Sequence, residues 1–360
     1  MNGPAYTRVL LRFDRAARDP ERLRQNLSAC ALDRDGHLWL GTDELTALSQ
    51  LKQKAPGIFA KHVDTDLSDR LQLVEDDQEV DVEGLDIDED RLWIVGSHTR
   101  TRKDVKQRKD IEENLQRLTQ VEARPNRCLI ACATIANGRL KTDAIAQLPI
   151  STEGNALTLA LRADAHLGPF LLRTVDEHAG GTQLASKENG FDIEGVAARG
   201  ERLFLGLRGP VLRGWAMLLE IRAERTAAAT LALGPIGARG RLYRKHLLQL
   251  AGMGIRDLCW QERDLLILAG PTMDLAGPQA IYRLRSPEDL PDDSITELDG
   301  SRLQRLFHLP LVSDGDKAEG LCRCDAPEGP GILVVYDAPR AERLIGDDAV
   351  LADVFSLPAC

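Results

Sequence analysis

Aromatic residues make up only 4% of the 360-residue chain, so stacking platforms for single-stranded nucleic acid are not expected. No stretch approaches the roughly 18 uninterrupted apolar residues of a membrane-spanning helix. The first residues carry Arg8, Arg12 and Asp14 instead of an apolar core, which argues against a secretory signal. The seven cysteines are odd in number and lack a framework spacing. That excludes a disulfide-stapled domain and fits a reducing, cytoplasmic location. No Walker A or dinucleotide glycine motif is present, and Gly206-Leu-Arg-Gly-Pro210 follows a strand signal instead of opening a helix. Without Gly-x-Ser-x-Gly a serine hydrolase is not expected. A net charge of −10 argues against nucleic acid and anionic membrane surfaces as partners.

What remains, 43% hydrophobic and 28% charged, is a globular composition. It is organised by a repeat. Asp81-Val-Glu-Gly-Leu precedes Arg91-Leu-Trp-Ile-Val-Gly96, and Asp192-Ile-Glu-Gly-Val precedes Arg202-Leu-Phe-Leu-Gly206. Gly254-Ile-Arg-Asp-Leu and Lys317-Ala-Glu-Gly-Leu open two more copies, and Ser28-Ala-Cys-Ala-Leu opens a degenerate one. One slot is held by Glu83, Glu194, Arg256 and Glu319, and by Ala29 in the degenerate copy, with spacings of 54, 111, 62 and 63 residues. The long interval reads as a unit plus an insertion, or as two units with one eroded.

Each copy contains four short apolar runs bounded by Gly, Asp and Pro, which are strand signals. Four strands repeated at this period describe the blade of a propeller. The expected fold is therefore an all-β propeller of five or six four-stranded blades in one domain over 1–360. The blades are placed at about 28–80, 81–150, 192–250, 254–311 and 317–360. Residues 151–190 read as irregular, partly helical, or as a distorted sixth blade. The strand from Tyr6 to Phe13 could pair with the last blade and close the ring. One helical insertion is expected over about 104–121, with Val105, Ile111, Leu115, Leu118 and Val121 as its apolar stripe.

The stretches Asn189-Gly-Phe-Asp-Ile-Glu-Gly-Val, Gly206-Leu-Arg-Gly-Pro-Val-Leu-Arg-Gly-Trp215 and Gly254-Ile-Arg-Asp-Leu-Cys-Trp260 are distinctive, as is Leu268-Ala-Gly-Pro-Thr-Met-Asp274. They resemble a bacterial domain-of-unknown-function family of predicted β-propellers, and the likeness runs over nearly the whole chain. It implies the fold and little chemistry. More distantly, the repeated Asp-x-Glu-Gly-Leu is similar to that of the esterase-like phytase group. The strand-opening Glu-Gly also resembles the metal-ligand Glu of lactonase propellers.

The first strand of a propeller blade lines the central channel, so its start sits near one mouth. This places Glu83, Glu194, Arg256 and Glu319 around that mouth, with Asp257 beside Arg256. Residues two apart on a strand share a side, which adds Asp81, Asp192 and Lys317. The second strands return to the same mouth with polar ends: Thr42-Asp43-Glu44, Ser97-His98, Arg208, Thr272-Met-Asp274 and Asp337. Arg213 and Lys187 join the same polar face.

Clustered carboxylates need a cation or shifted pKa values to coexist, and oxygen-rich clusters select calcium or magnesium. The expected metal ligands are Asp81, Glu83, Asp192, Glu194 and Glu319. The expected catalytic set is Asp192, Glu194 and His98, the last as a general base. The alternative is that these charges pair across blades. Arg100 to Lys109 holds six basic residues in ten and reads as a lid attracting anions or as a solvated helix start. Cys128/Cys132 and Cys322/Cys324 read as core filler. Two functions stay open: metal-assisted hydrolysis of a small anionic ester or lactone, and a noncatalytic scaffold binding a ligand or partner protein.

Overall fold

The structure, a computed structural model, describes residues 6–14, 20–42, 45–75, 79–171, 184–311, 315–326 and 329–358. Among them no helix is long and apolar enough to cross a membrane. Blade 1 comprises Leu27–Leu32, His37–Thr42, Ala47–Ala55 and Ile58–Asp66. Blade 2 comprises Val82–Asp88, Arg91–Gly96, Ile130–Ala136 and Arg139–Gln147. Blade 3 has Asp192–Arg199, Arg202–Gly209 and the long Trp215–Ala227, whose outer edge is shared by Tyr243–Gln249 and Thr230–Gly234. Blade 4 comprises Gly254–Gln261, Asp264–Gly270, Ala280–Leu284 and Leu303–His308.

Blade 5 is composite. Lys317–Ala326, Gly329–Asp337 and Ala349–Ser356 come from the end of the chain, and Tyr6–Arg12 is its fourth strand. The first strand runs antiparallel to Ala349–Ser356, from Tyr6 opposite Phe355 to Arg12 opposite Ala349. The five innermost strands then pack in a closed cycle, blade 1 on 2, 2 on 3, 3 on 4, 4 on 5 and 5 on 1. The described residues form a five-bladed β-propeller.

The sequence reads as continuous apolar runs instead of a strict apolar–polar alternation because both faces of each blade are buried. In Leu203-Phe204-Leu205, the two leucines enter the core between blades 2 and 3. Phe204, on the other face, enters the core between blades 3 and 4. Trp93 and Leu92 divide in the same way, toward blade 3 and toward blade 1. Side-chain alternation of the pleat therefore sends every second residue to each neighbour. A fully buried Phe or Leu contributes about 1.5–3 kcal/mol by leaving water, so these runs fix blade-to-blade packing.

Of the two readings of 151–190, the described part follows the irregular, partly helical one, and the extent of the insertion helix is corrected. Residues 151–171 form no strand of a further blade. They carry the short helices Ala156–Leu161 and Gly168–Leu171, the first capped by Asn155. The part of the sixth-blade reading that falls on 172–183 lies outside the described residues. The insertion helix is also shorter than 104–121: it spans Ile111–Leu118, because Asp110 caps it by accepting the Glu113 N–H at 2.8 Å. Arg100–Arg102 and Val121–Ala123 pair as a hairpin that carries it as an arm. None of the helix's residues is buried, and Ile111 and Leu115 are 80% and 62% exposed.

Candidate functional site

The five innermost strands share one irregularity. In each, the antiparallel ladder to the second strand skips at the repeated slot, and in blade 3 it skips a second time, past Arg208 between Asp192 and Ile193. The residues skipped at the slot are Ser28, Glu83, Glu194 with Gly195, Arg256 and Glu319. A bulge adds a residue to one strand and re-aims its side chain. The repeated slot is therefore a bulge position, and its residue in blade 1 is Ser28, one place before the expected Ala29. The Ser28 hydroxyl donates to the Val82 carbonyl at 2.5 Å, a blade 1 to blade 2 bond.

The glycine that follows the slot has a steric cause. A Cβ on Gly84 would stand 3.0 Å from the Val196 nitrogen of the next inner strand. One on Gly320 would stand 3.1 Å from the Cys30 nitrogen. One on Gly195, at φ +101°, would stand 2.6 Å from the Asp257 Cα. The glycines let inner strands approach closely enough for the preceding side chains to converge at the channel mouth.

There Arg208 Nη2 lies 2.6 Å from Asp192 Oδ2 and its Nη1 lies 2.7 Å from Glu194 Oε1. Arg256 Nε approaches the other oxygen of Glu194 at 2.9 Å, and Arg256 also pairs with Glu319. The result is a zigzag of alternating charge, Asp192–Arg208–Glu194–Arg256–Glu319, crossing blades 3, 4 and 5. Arg127 closes the opposite side, with Nη1 2.7 Å from Asp81 and a second pair to Glu79. Asp81 also accepts from the Ser97 hydroxyl. Farther out, Lys317 is 2.9 Å and Lys187 3.9 Å from Asp274. These groups line or flank a cavity of about 680 Å³.

Glu83 stands apart in this constellation. It lines the cavity, and no hydrogen bond or ion pair reaches it from the described residues. Burial pushes its pKa well above the usual carboxylate range, and then Asp81, Glu194, Glu319 and Asp192 all push the same way. Asp192, Glu194 and Glu319 are also raised by burial, but each has a guanidinium as its strongest opposing influence. Arg208 opposes for Asp192 and Glu194, and Arg256 for Glu319. Asp192, 1% exposed, keeps one acceptor free: among the described residues its Oδ1 has no hydrogen-bond partner.

Other expected site residues lie elsewhere. His98, read as a general base, is buried at φ +58° and turned from the cavity. Its Nδ1 donates to the Gly96 carbonyl at 2.7 Å and its Nε2 accepts from Asn155 Nδ2 at 2.9 Å. Burial lowers its pKa to about 4, so it is neutral and fully bonded. Asp257 faces the blade 4–5 junction, accepting the Leu258 and Leu321 N–H groups at 2.8 and 2.5 Å. Arg213 occupies a left-handed turn position outside the cavity lining. Asp43 and Glu44 lie outside the described residues.

The donor set for calcium or magnesium does not fit. The guanidinium groups of Arg208, Arg256 and Arg127 take up Asp192, Glu194, Glu319 and Asp81. Among the described residues no three His, Cys, Asp or Glu side chains are placed to share an ion. The cysteine pairs are buried in the blades, as expected of core filler. Arg127 and Glu79 were not legible as site residues. Arg127 ends a short helical turn after the arm and has no counterpart in the other repeats.

The family model described as "Protein of unknown function (DUF3616)" matches residues 26–353. The chain belongs to that family. No curated protein sequence matches it. Solved structures similar to this family member include the PQQ-bound aldose sugar dehydrogenase of Streptomyces coelicolor, at 12% identity and TM-score 0.36, covering 97% of this chain and 99% of that one. Virginiamycin B lyase of Staphylococcus aureus matches at 11% identity and TM-score 0.36, over 98% and 100% of the two chains. The calcium-binding protein regucalcin of Agrobacterium tumefaciens matches at 9% and 0.37, over 94% and 92%.

Proposed function

We propose that the protein binds a small organic cation in the channel-mouth cavity, with Glu83 receiving the cationic head. The observation that carries this reading is that Glu83, beside four other carboxylates, makes no hydrogen bond or ion pair with the described residues, with Arg127, Arg208 and Arg256 attracting it only from farther off. A cation arriving there relieves their mutual repulsion and pairs a carboxyl that nothing in the described structure pairs. The sign is opposite to the anionic ester or lactone suggested by sequence. Arg127, Arg208, Arg256 and Lys317 each already have a carboxylate within 3.0 Å, so an anion seated on any of these four would have to displace one, and Lys187, 3.9 Å from Asp274, stands at the outer edge. The reading is of a noncatalytic binding site, since metal-assisted hydrolysis has no fitting ligand set here and His98 faces away. The cavity volume falls in the range of small-molecule sites, roughly 300–1,000 Å³.

The test is a thermal-shift screen of primary amines and guanidines against inorganic phosphate and small carboxylates. At least one cation should raise the Tm of the wild type and leave Glu83→Gln unmoved, because only a ligand of the native state stabilises it. Stabilisation by the anions alone would overturn the proposal, as would an equal response of both proteins to the cations.

A further inference from the structure

The lining of the cavity includes, beside its charged groups, four exposed apolar side chains from three separate segments, which form an apolar lip. Leu118 comes from the end of the arm helix, Met273 and Leu275 from the loop after the second strand of blade 4, and Leu311 from the end of that blade. All four line the same cavity as Glu83 and Asp192. They are exposed, Leu275 by 67% and Leu311 by 73%. The lip is held in place by polar ties. Arg102 of the arm pairs with Glu188, Ser186 N–H donates to the Arg100 carbonyl at 3.0 Å, and Glu188 bridges to Met273 through the backbone. Large apolar side chains gathered at a cavity mouth mark a surface that is covered in use.

From these observations, and resting on the proposed role of Glu83, we infer that the ligand is amphipathic: a primary amine carrying a hydrocarbon body. The ammonium group reaches Glu83 and the free Oδ1 of Asp192 at the floor. The body lies against Leu118, Met273, Leu275 and Leu311. A bare inorganic cation or a polyamine would leave that lip in water. An alkyl carboxylate would have to displace a carboxylate already paired with Arg127, Arg208, Arg256 or Lys317.

The experiment is calorimetric titration with ethyl-, butyl-, hexyl- and octylammonium below their aggregation limits, with hexanol as the uncharged control. Burial of each added methylene is worth about fourfold in affinity, so Kd should fall steeply along the series until the chain outgrows the lip. Leu275→Ser with Leu311→Ser, both at exposed positions, should flatten the slope and keep ethylammonium binding. If ethylammonium binds and Kd is independent of chain length, the amphipathic inference is overturned while the Glu83 reading stands. Hexanol binding as tightly as hexylammonium overturns both, and so does Glu83→Gln retaining the full amine affinity.

Discussion

Asn155 donates its side-chain amide to Nε2 of His98 at 2.9 Å, joining the capped end of a helix to the second strand of blade 2. The same amide nitrogen reaches the Cys128 carbonyl at 2.8 Å. His98 is therefore a structural acceptor that anchors the helical stretch 156–171 to the propeller. Its depressed pKa sets a sign. The unfolded chain binds a proton on this group at a higher pH than the folded protein does. Stability thus falls as pH drops from its ordinary value of 6.5 toward about 4. Replacement by Asn should cost about 1–3 kcal/mol at pH 7, through the broken buried bonds. It should also remove part of the acid sensitivity. Urea unfolding at pH 7 and pH 5 measures both. An unchanged difference between the two pH values would contradict the buried, neutral state of His98.

Glu83 has the opposite sign. Its folded pKa is raised, so its contribution is fully present below its unfolded value and is lost as pH rises through the folded one. Glu83→Gln should raise Tm at pH 9 and change it little at pH 5. A cation that pairs the ionised carboxylate must expel the proton. Amine affinity should therefore increase with pH below the amine's own pKa, with proton release visible in buffers of different ionisation enthalpy.

Arg256 should be costly to remove. Its loss leaves Glu194 and Glu319 facing each other in a buried site, and breaking a buried pair costs about 3–5 kcal/mol. Arg256→Met should show a loss of that size in denaturant unfolding. Adding Glu319→Gln should restore a large part of it.

Gly195 and Gly200 both have positive φ, at +101° and +64°. A methyl group on Gly200 meets nothing within 4 Å, and one on Gly195 runs into the Asp257 backbone. Gly200→Ala should cost about 1–2 kcal/mol, from the left-handed backbone alone. Gly195→Ala should cost more and should disturb the inner ring. Equal Tm losses for the two variants would mean that the inner strands can spread.

The propeller was legible because the Glu-Gly slot and the apolar runs recur in phase, and the same recurrence gathered Glu83, Glu194, Arg256 and Glu319. The bulge behind the slot was not legible, since one extra residue in a ladder leaves no mark in composition. Hence Ala29 stood where Ser28 belongs. His98 misled because Ser97 and His98 point to opposite sides: Ser97 toward Asp81 and the cavity, His98 toward Asn155. The hydrophobic lip leaves no periodic signal in the sequence, because Met273, Leu275 and Leu311 sit in irregular segments. The helix was overextended because its apolar spacing continues into Val121, which belongs to the hairpin.

The pairing of Tyr6–Arg12 with Ala349–Ser356 also has a consequence for biosynthesis. As the chain leaves the ribosome, blades 1 to 4 acquire all their strands in order and can assemble while translation continues. The first strand precedes all of these and finds its antiparallel partner last, more than three hundred residues later. Until then Tyr6–Arg12 has only its short parallel contact with Ile58–Asp66 of blade 1, and its other edge is open to pairing with other nascent chains. The closing strand thus makes completion of the ring the last step of its assembly, dependent on the longest loop closure between paired strands.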